Sequence, residues 1–138
     1  MILHKYASND SDIFSTGIDI VEVARIKKLI DKHPGILDRL LTGNERRILS
    51  CRSLRLTLAV SVGKLFAMKE AVLKSVGTGW QEGVSWQDID IPDFYNCCTI
   101  SISGKLKNII DRKKVKTIIS SAHGDKKMVV AQAFALIK

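Results

Sequence analysis

The side chains best suited to chemistry in this 138-residue sequence are Asp19, Glu70, Lys74, Lys69 and His123. Glu70 and Lys74 stand four apart, with Phe66 one turn earlier, so on a helix they share a face. Taken alone, such a pair is an ordinary surface ion pair worth about 0.3–0.5 kcal/mol, and neighbouring Lys69 reads as a solvated lysine. Asp19 lies between isoleucines at a strand-to-helix junction, where an aspartate commonly caps the helix that follows. His123 by itself reads as a structural or surface histidine. Together the residues have a sharper meaning. Two carboxylates can hold one hard divalent cation whose other positions go to water and phosphate oxygens, the usual way of binding Mg2+. A lysine beside them can neutralise charge as a pyrophosphate bond breaks. Asp19 and Glu70 are 51 positions apart, so only the fold can bring them together.

Other site types find no support. The chain has no phosphate-binding GxxxxGK[ST] loop, no GxGxxG after a strand, no HExxH and no GxSxG. His4, His33 and His123 have no zinc-like spacing with Cys51, Cys97 and Cys98. Three cysteines, two of them adjacent, do not make a disulfide framework. The first 14 residues hold no long apolar stretch, and no run approaches the roughly 18 residues of a membrane span. A cytoplasmic protein with reduced thiols and no membrane contact is expected. The net charge of +8 predicts an acidic partner without naming it: nucleic acid, a phosphorylated cofactor and an acidic protein all qualify. Nucleic acid is disfavoured, because aromatics are only 6% and the basic residues are scattered.

The elements that must position these residues read as follows. Residues 1–13 are polar and aperiodic, a loose extension before a single domain over 14–138. Phe14 to Ile20 predicts a short strand. A helix follows, with Ile20, Val23, Ile26 and Ile30 at helical spacing, stopped by His33-Pro34-Gly35. Arg25, Lys28 and Lys32 form a basic stripe off its core-facing side. Ile36 to Leu41 is a short helical piece. Thr42 and Glu45 form a capping box for a helix running to about Ser50. The longest helix spans about Thr57 to Val76 and ends at Gly77. Trp86 to Ile91 and Thr99 to Ser103 predict strands, Leu106 to Arg112 a helix, and Val115 to Ser120 with Met128 to Ile137 a strand pair. Helices early and strands late make the class α+β with an antiparallel sheet.

These segments also carry a signature. Gly17-Ile18-Asp19-Ile20-Val21-Glu22, Arg39-Leu40-Leu41-Thr42 with Glu45, Phe66-Ala67-Met68-Lys69-Glu70-Ala71 with Lys74, Gly77-Thr78-Gly79, Val84 to Ile91 and Ser120-Ser121-Ala122-His123 occur in that order. The ordered set resembles the holo-[acyl-carrier-protein] synthases, small 4′-phosphopantetheinyl transferases, over residues 15–137. The resemblance implies the 4′-phosphopantetheinyl transferase fold, an antiparallel sheet packed with one long and several short helices. It implies transfer of 4′-phosphopantetheine from coenzyme A to a serine of apo acyl carrier protein, in support of fatty acid biosynthesis. Asp19 and Glu70 would be the Mg2+ ligands, with Glu70 also helping to deprotonate the serine. Lys74 would touch the pyrophosphate with Lys69 nearby. His123 and Ser120 would lie by the coenzyme A phosphates. Arg25 and Arg39, extended by periodicity to Lys28 and Lys32, would face the carrier protein. A homotrimer with sites between subunits is implied, His123 coming from a different chain than Asp19, Glu70 and Lys74. Leu65 stands where many relatives have Arg and Ala122 where Ser commonly precedes His. These departures motivate the alternative of a non-catalytic module that binds acyl carrier protein or coenzyme A.

Overall fold

The computed structural model describes residues 12–51, 57–78 and 83–137. Most of the predicted loose extension therefore lies outside the described residues. Strand β1 (Asp12–Glu22) is longer at both ends than its sequence signal. It is followed by α1 (Val23–Lys32), α2 (Ile36–Leu40), α3 (Gly43–Cys51) and the long α4 (Leu58–Val76). A 3₁₀ turn at Trp86–Asp88 leads into β2 (Ile89–Asp90). Then come β3 (Cys98–Thr99), β4 (Ser101–Ile102), α5 (Gly104–Arg112), β5 (Val115–Gly124) and β6 (Met128–Ile137). The main sheet is antiparallel in the order β1-β6-β5-β3, and β2 and β4 form a second small sheet. The class is α+β, as expected.

Helix α4 is the axis of the fold. Thr57 caps its start by accepting the Val60 N–H, and Gly77 at φ 72° closes its end in the left-handed region. Fourteen of its 19 residues are buried, so it is enclosed nearly all round rather than along one stripe. The sheet covers one side of it. Strand β6 alternates buried and exposed from Met128 to Ala133, and only the buried row faces the helix. On β1 the inward row is Gly17, Asp19 and Val21. Gly17 has no Cβ because none fits: one there would lie 2.6 Å from the Ser75 nitrogen and closer still to the Ala71 carbonyl oxygen. This close approach lays β1 directly on α4 and brings Asp19 down beside Lys74.

Three sequence readings change. Ile20 and Val21 belong to the strand and not to the following helix, because β1 stays paired with β6 as far as Glu22 opposite Met128. Trp86 to Ile91 is a 3₁₀ turn and a two-residue strand, because Ser85 and Asp88 cap the turn reciprocally. The alternating Thr99–Ser103 segment serves two sheets: Cys98 and Thr99 pair with β5, while Ser101 and Ile102 pair with β2.

A buried ion pair ties the helical layer to α4. Lys69 and Glu45 are both fully buried, with Nζ 2.8 Å from Oε2. Lys69 also donates to the carbonyl oxygens of Leu40 at 2.6 Å and Trp86 at 3.0 Å, so all three ammonium protons are engaged. Glu45 accepts the N–H groups of Thr42 and Ile91, and the Thr42 hydroxyl accepts the Glu45 N–H, completing the predicted capping box. Burial pushes the Glu45 carboxyl up and the Lys69 ammonium down, and their mutual attraction opposes both shifts.

Two outcomes are expected from these contacts. Gly17→Ala should lower stability by about 1–3 kcal/mol, read from urea unfolding, because β1 must move off α4. Lys69→Met, which leaves a buried carboxylate without its cation, should cost about 3–5 kcal/mol in the same measurement.

Candidate active site

Asp19 and Glu70 reach the same cleft from different elements. The strand pleat turns Asp19 inward between Gly17 and Val21, and Glu70 stands on the surface of α4. Both line a concavity of about 510 Å³, shared with Arg25, Lys28, Lys32 and Phe66. The two carboxylates, 51 positions apart, thus line one cleft. Asp19 does not cap α1: residue 22 is the N-cap, and its side chain makes no cap bond.

Lys74 pairs with Asp19, not with Glu70. Its Nζ is 2.7 Å from Asp19 Oδ1 and 3.0 Å from the Ile18 carbonyl oxygen. The Asp19 side chain is 14% exposed and that of Lys74 52%, so the carboxylate is recessed while the ammonium also faces solvent. Glu70 takes a different partner: its Oε1 accepts the Trp86 indole N–H at 2.9 Å. The two carboxylates are therefore each held on one oxygen only. Asp19 Oδ2 is buried and has no hydrogen-bond partner.

A buried carboxylate oxygen without a donor is costly unless a cation meets it. Asp19 Oδ2, with Glu70 in the same cleft, fits a hard divalent cation. Among the described residues no group of three or more His, Cys, Asp or Glu is assembled. Two carboxylates suit Mg2+, which retains waters and shares substrate phosphates, better than an ion needing a full protein cage.

The remaining sequence candidates divide. Arg25, Lys28 and Lys32 are exposed and rim the cleft, so the basic stripe and the carboxylates form one surface. Arg39 lies outside it, in a separate hollow of about 700 Å³ with Asp38, Gln87 and Trp86. Lys69 is a correction: enclosed at 0% exposure with every proton engaged, it cannot reach a ligand in the cleft. Ser120 is a second correction. It is 1% exposed on β5, and its hydroxyl donates to the Gln132 carbonyl oxygen at 2.9 Å. His123 is exposed at the end of β5 and is not among the residues lining the cleft of its own chain. Leu65 and Ala122, the two departures, are both core residues.

Sequence reasoning assigned Trp86 no role at the site. Its indole is the partner of Glu70 from 16 positions away, and no spacing rule links a loop tryptophan to a helix carboxylate. His33 was also passed over. It joins Arg25 and Leu29 in the cleft at i, i+4 and i+8, a periodicity that was available.

Comparison with known proteins gives this geometry a context. The family described as the 4′-phosphopantetheinyl transferase superfamily matches residues 15–133. The chain is 36% identical over 121 residues to the holo-[acyl-carrier-protein] synthase of Thermoanaerobacter sp., covering 87% of this chain and 85% of that protein. The structure of the Plasmodium yoelii acyl carrier protein synthase with ADP bound superposes with a TM-score of 0.83 at 30% identity, covering 94% of this chain and 99% of that one. A Bacillus anthracis holo-(acyl-carrier-protein) synthase in complex with CoA (3′,5′-ADP) gives 0.67 at 30% identity, covering 91% and 98%. Asp19, Glu70 and Lys74 thus converge on a fold shared with these enzymes, and the chain belongs to the holo-[acyl-carrier-protein] synthases of the 4′-phosphopantetheinyl transferase superfamily.

Proposed function

We propose that this chain carries out its family's reaction in the cleft of Asp19 and Glu70, with Mg2+ held by those two carboxylates. The reaction moves 4′-phosphopantetheine from coenzyme A to a serine of apo acyl carrier protein, in support of fatty acid biosynthesis, and leaves 3′,5′-ADP. The observation that carries the site assignment is the buried, unpartnered Asp19 Oδ2 in a cleft shared with Glu70. When bound, the cation would supply charge stabilisation to the phosphate oxygens. Asp19 is held in place by Lys74, and Glu70 by Trp86. The half-exposed Lys74 ammonium is suited to face the pyrophosphate while still touching Asp19. Glu70 is the carboxylate suited to draw the serine proton, directly or through a water. Arg25, Lys28 and Lys32 line the approach with positive charge, the complement of an acidic carrier protein.

The resemblance implies a homotrimer, and the outer sheet face supports that reading. Ile18 is 58% exposed, Ile20 62% and Val130 43%, three apolar side chains that a monomer would leave in water. Ile20 lies opposite Val130, which lies opposite His123, so the three form one row across the sheet. A neighbouring subunit seated on this face would meet His123 together with the apolar patch. His123 would then serve the neighbour's cleft, which accounts for its distance from its own. Among the described residues no helix is long and apolar enough to cross a membrane. The proposed location is the cytoplasm.

Two measurements test these readings. Asp19→Ala and Glu70→Ala are each expected to abolish transfer, by roughly 10²-fold or more, in an assay of coenzyme A, Mg2+ and apo carrier protein followed by intact mass. Parent activity in both variants would remove the metal pair. Ile20→Glu combined with Val130→Glu is expected to lower the mass measured by sedimentation and to lose transfer with it. An unchanged assembly would reject this face as the subunit contact.

A further inference from the structure

Trp86 joins the buried frame to the cleft. Its carbonyl oxygen accepts Lys69 Nζ, which fixes the backbone of the 3₁₀ turn, and the reciprocal capping of Ser85 and Asp88 fixes it again. Its ring packs against Phe66 with centroids 5.8 Å apart and planes at 58°. Backbone and ring are thus both held before the indole N–H meets Glu70 Oε1 at 2.9 Å. The terminal torsion of a glutamate is broad, so a carboxylate on a helix surface samples many orientations unless something holds it. An indole N–H can only donate, so it engages one carboxylate oxygen and leaves the other for a different electrophile.

We propose that Trp86 is a positioning residue for the transfer reaction: its indole N–H clamps Glu70 Oε1 so that Oε2 is presented, with Asp19 Oδ2, to the divalent cation. The proposal rests on the reading of Asp19 and Glu70 as the metal pair. It adds a chemical requirement at position 86. An aromatic ring there satisfies the packing against Phe66, but orienting the carboxylate also needs a donor where the indole N–H stands. Groups that orient metal ligands from behind typically change metal affinity 10–100-fold when removed.

The test uses the whole chain with coenzyme A present and Mn2+ as the probe, its binding measured by calorimetry in the parent, Trp86→Phe and Glu70→Gln. Phenylalanine keeps an aromatic ring against Phe66 and removes the donor. Trp86→Phe is expected to keep the parent's unfolding midpoint and coenzyme A affinity while binding Mn2+ roughly tenfold more weakly. Glu70→Gln should weaken Mn2+ at least as far. If Glu70→Gln loses affinity and Trp86→Phe does not, the clamp is overturned and the metal pair stands. If Glu70→Gln binds Mn2+ like the parent, the metal pair falls and the clamp with it. A second readout covers a Trp86→Phe that does not fold. The indole N–H resonance of Trp86, assigned against Trp80→Phe, should shift in the parent when Mg2+ is added. A resonance unmoved at saturating Mg2+ overturns the clamp.

Discussion

The Lys69–Glu45 ion pair is the contact on which the arrangement of the site depends. A buried ion pair repays its desolvation only when geometry is good and the remaining hydrogen-bonding positions are filled. Here they are filled by backbone from every direction. Lys69 donates to the end of α2 and to the 3₁₀ turn, and Glu45 accepts from the start of α3 and from the residue after β2. One charged contact therefore fixes four chain segments around α4. Replacing both charges by apolar residues would leave those carbonyls and N–H groups without partners inside the core, so this pair has no simple hydrophobic substitute.

The consequence for the cleft is indirect but continuous. The pair holds the Trp86 backbone, and the Trp86 indole holds Glu70. On the other wall, Gly17 sets how closely β1 approaches α4, and that spacing lets Asp19 reach the ammonium of Lys74. Each carboxylate is thus positioned by an element that takes no part in the chemistry. Of the charged side chains on α4, Glu70 lines the cleft and Lys74 pairs with Asp19, while Lys69, next to Glu70 in sequence, is turned into the frame. Neighbouring Lys69 and Glu70 have separate duties because a helix turns about 100° per residue.

Much of this was legible from local pattern. The capping box at Thr42 and Glu45 and the stop at Gly77 depend on neighbours within a few residues, and they stand as read. The convergence of Asp19 and Glu70 came from resemblance, because no spacing rule connects a strand to a helix 51 positions away. Lys69 was misplaced for a related reason. Its partner is 24 positions back, and nothing local distinguishes a buried lysine from a solvated one. The strand boundary at Ile20 was blurred because Ile20 suits both the outer row of a strand, two positions after Ile18, and a helical spacing to Val23. The Thr99–Ser103 alternation was real, but period alone does not say which partner a strand will choose.

That change of partner has an effect beyond the drawing of sheets. Ile100 stands between the residues that pair with β5 and those that pair with β2, and its N–H donates to the Ile118 carbonyl oxygen at 2.8 Å. The small sheet is consequently indexed to the large one by a single residue. Ser103 and Leu106 extend the link by donating to the Asp88 carbonyl and carboxylate. The turn bearing Trp86 thus takes its register from the far edge of the main sheet, and a slip of one residue there would be transmitted to the carboxylate in the cleft.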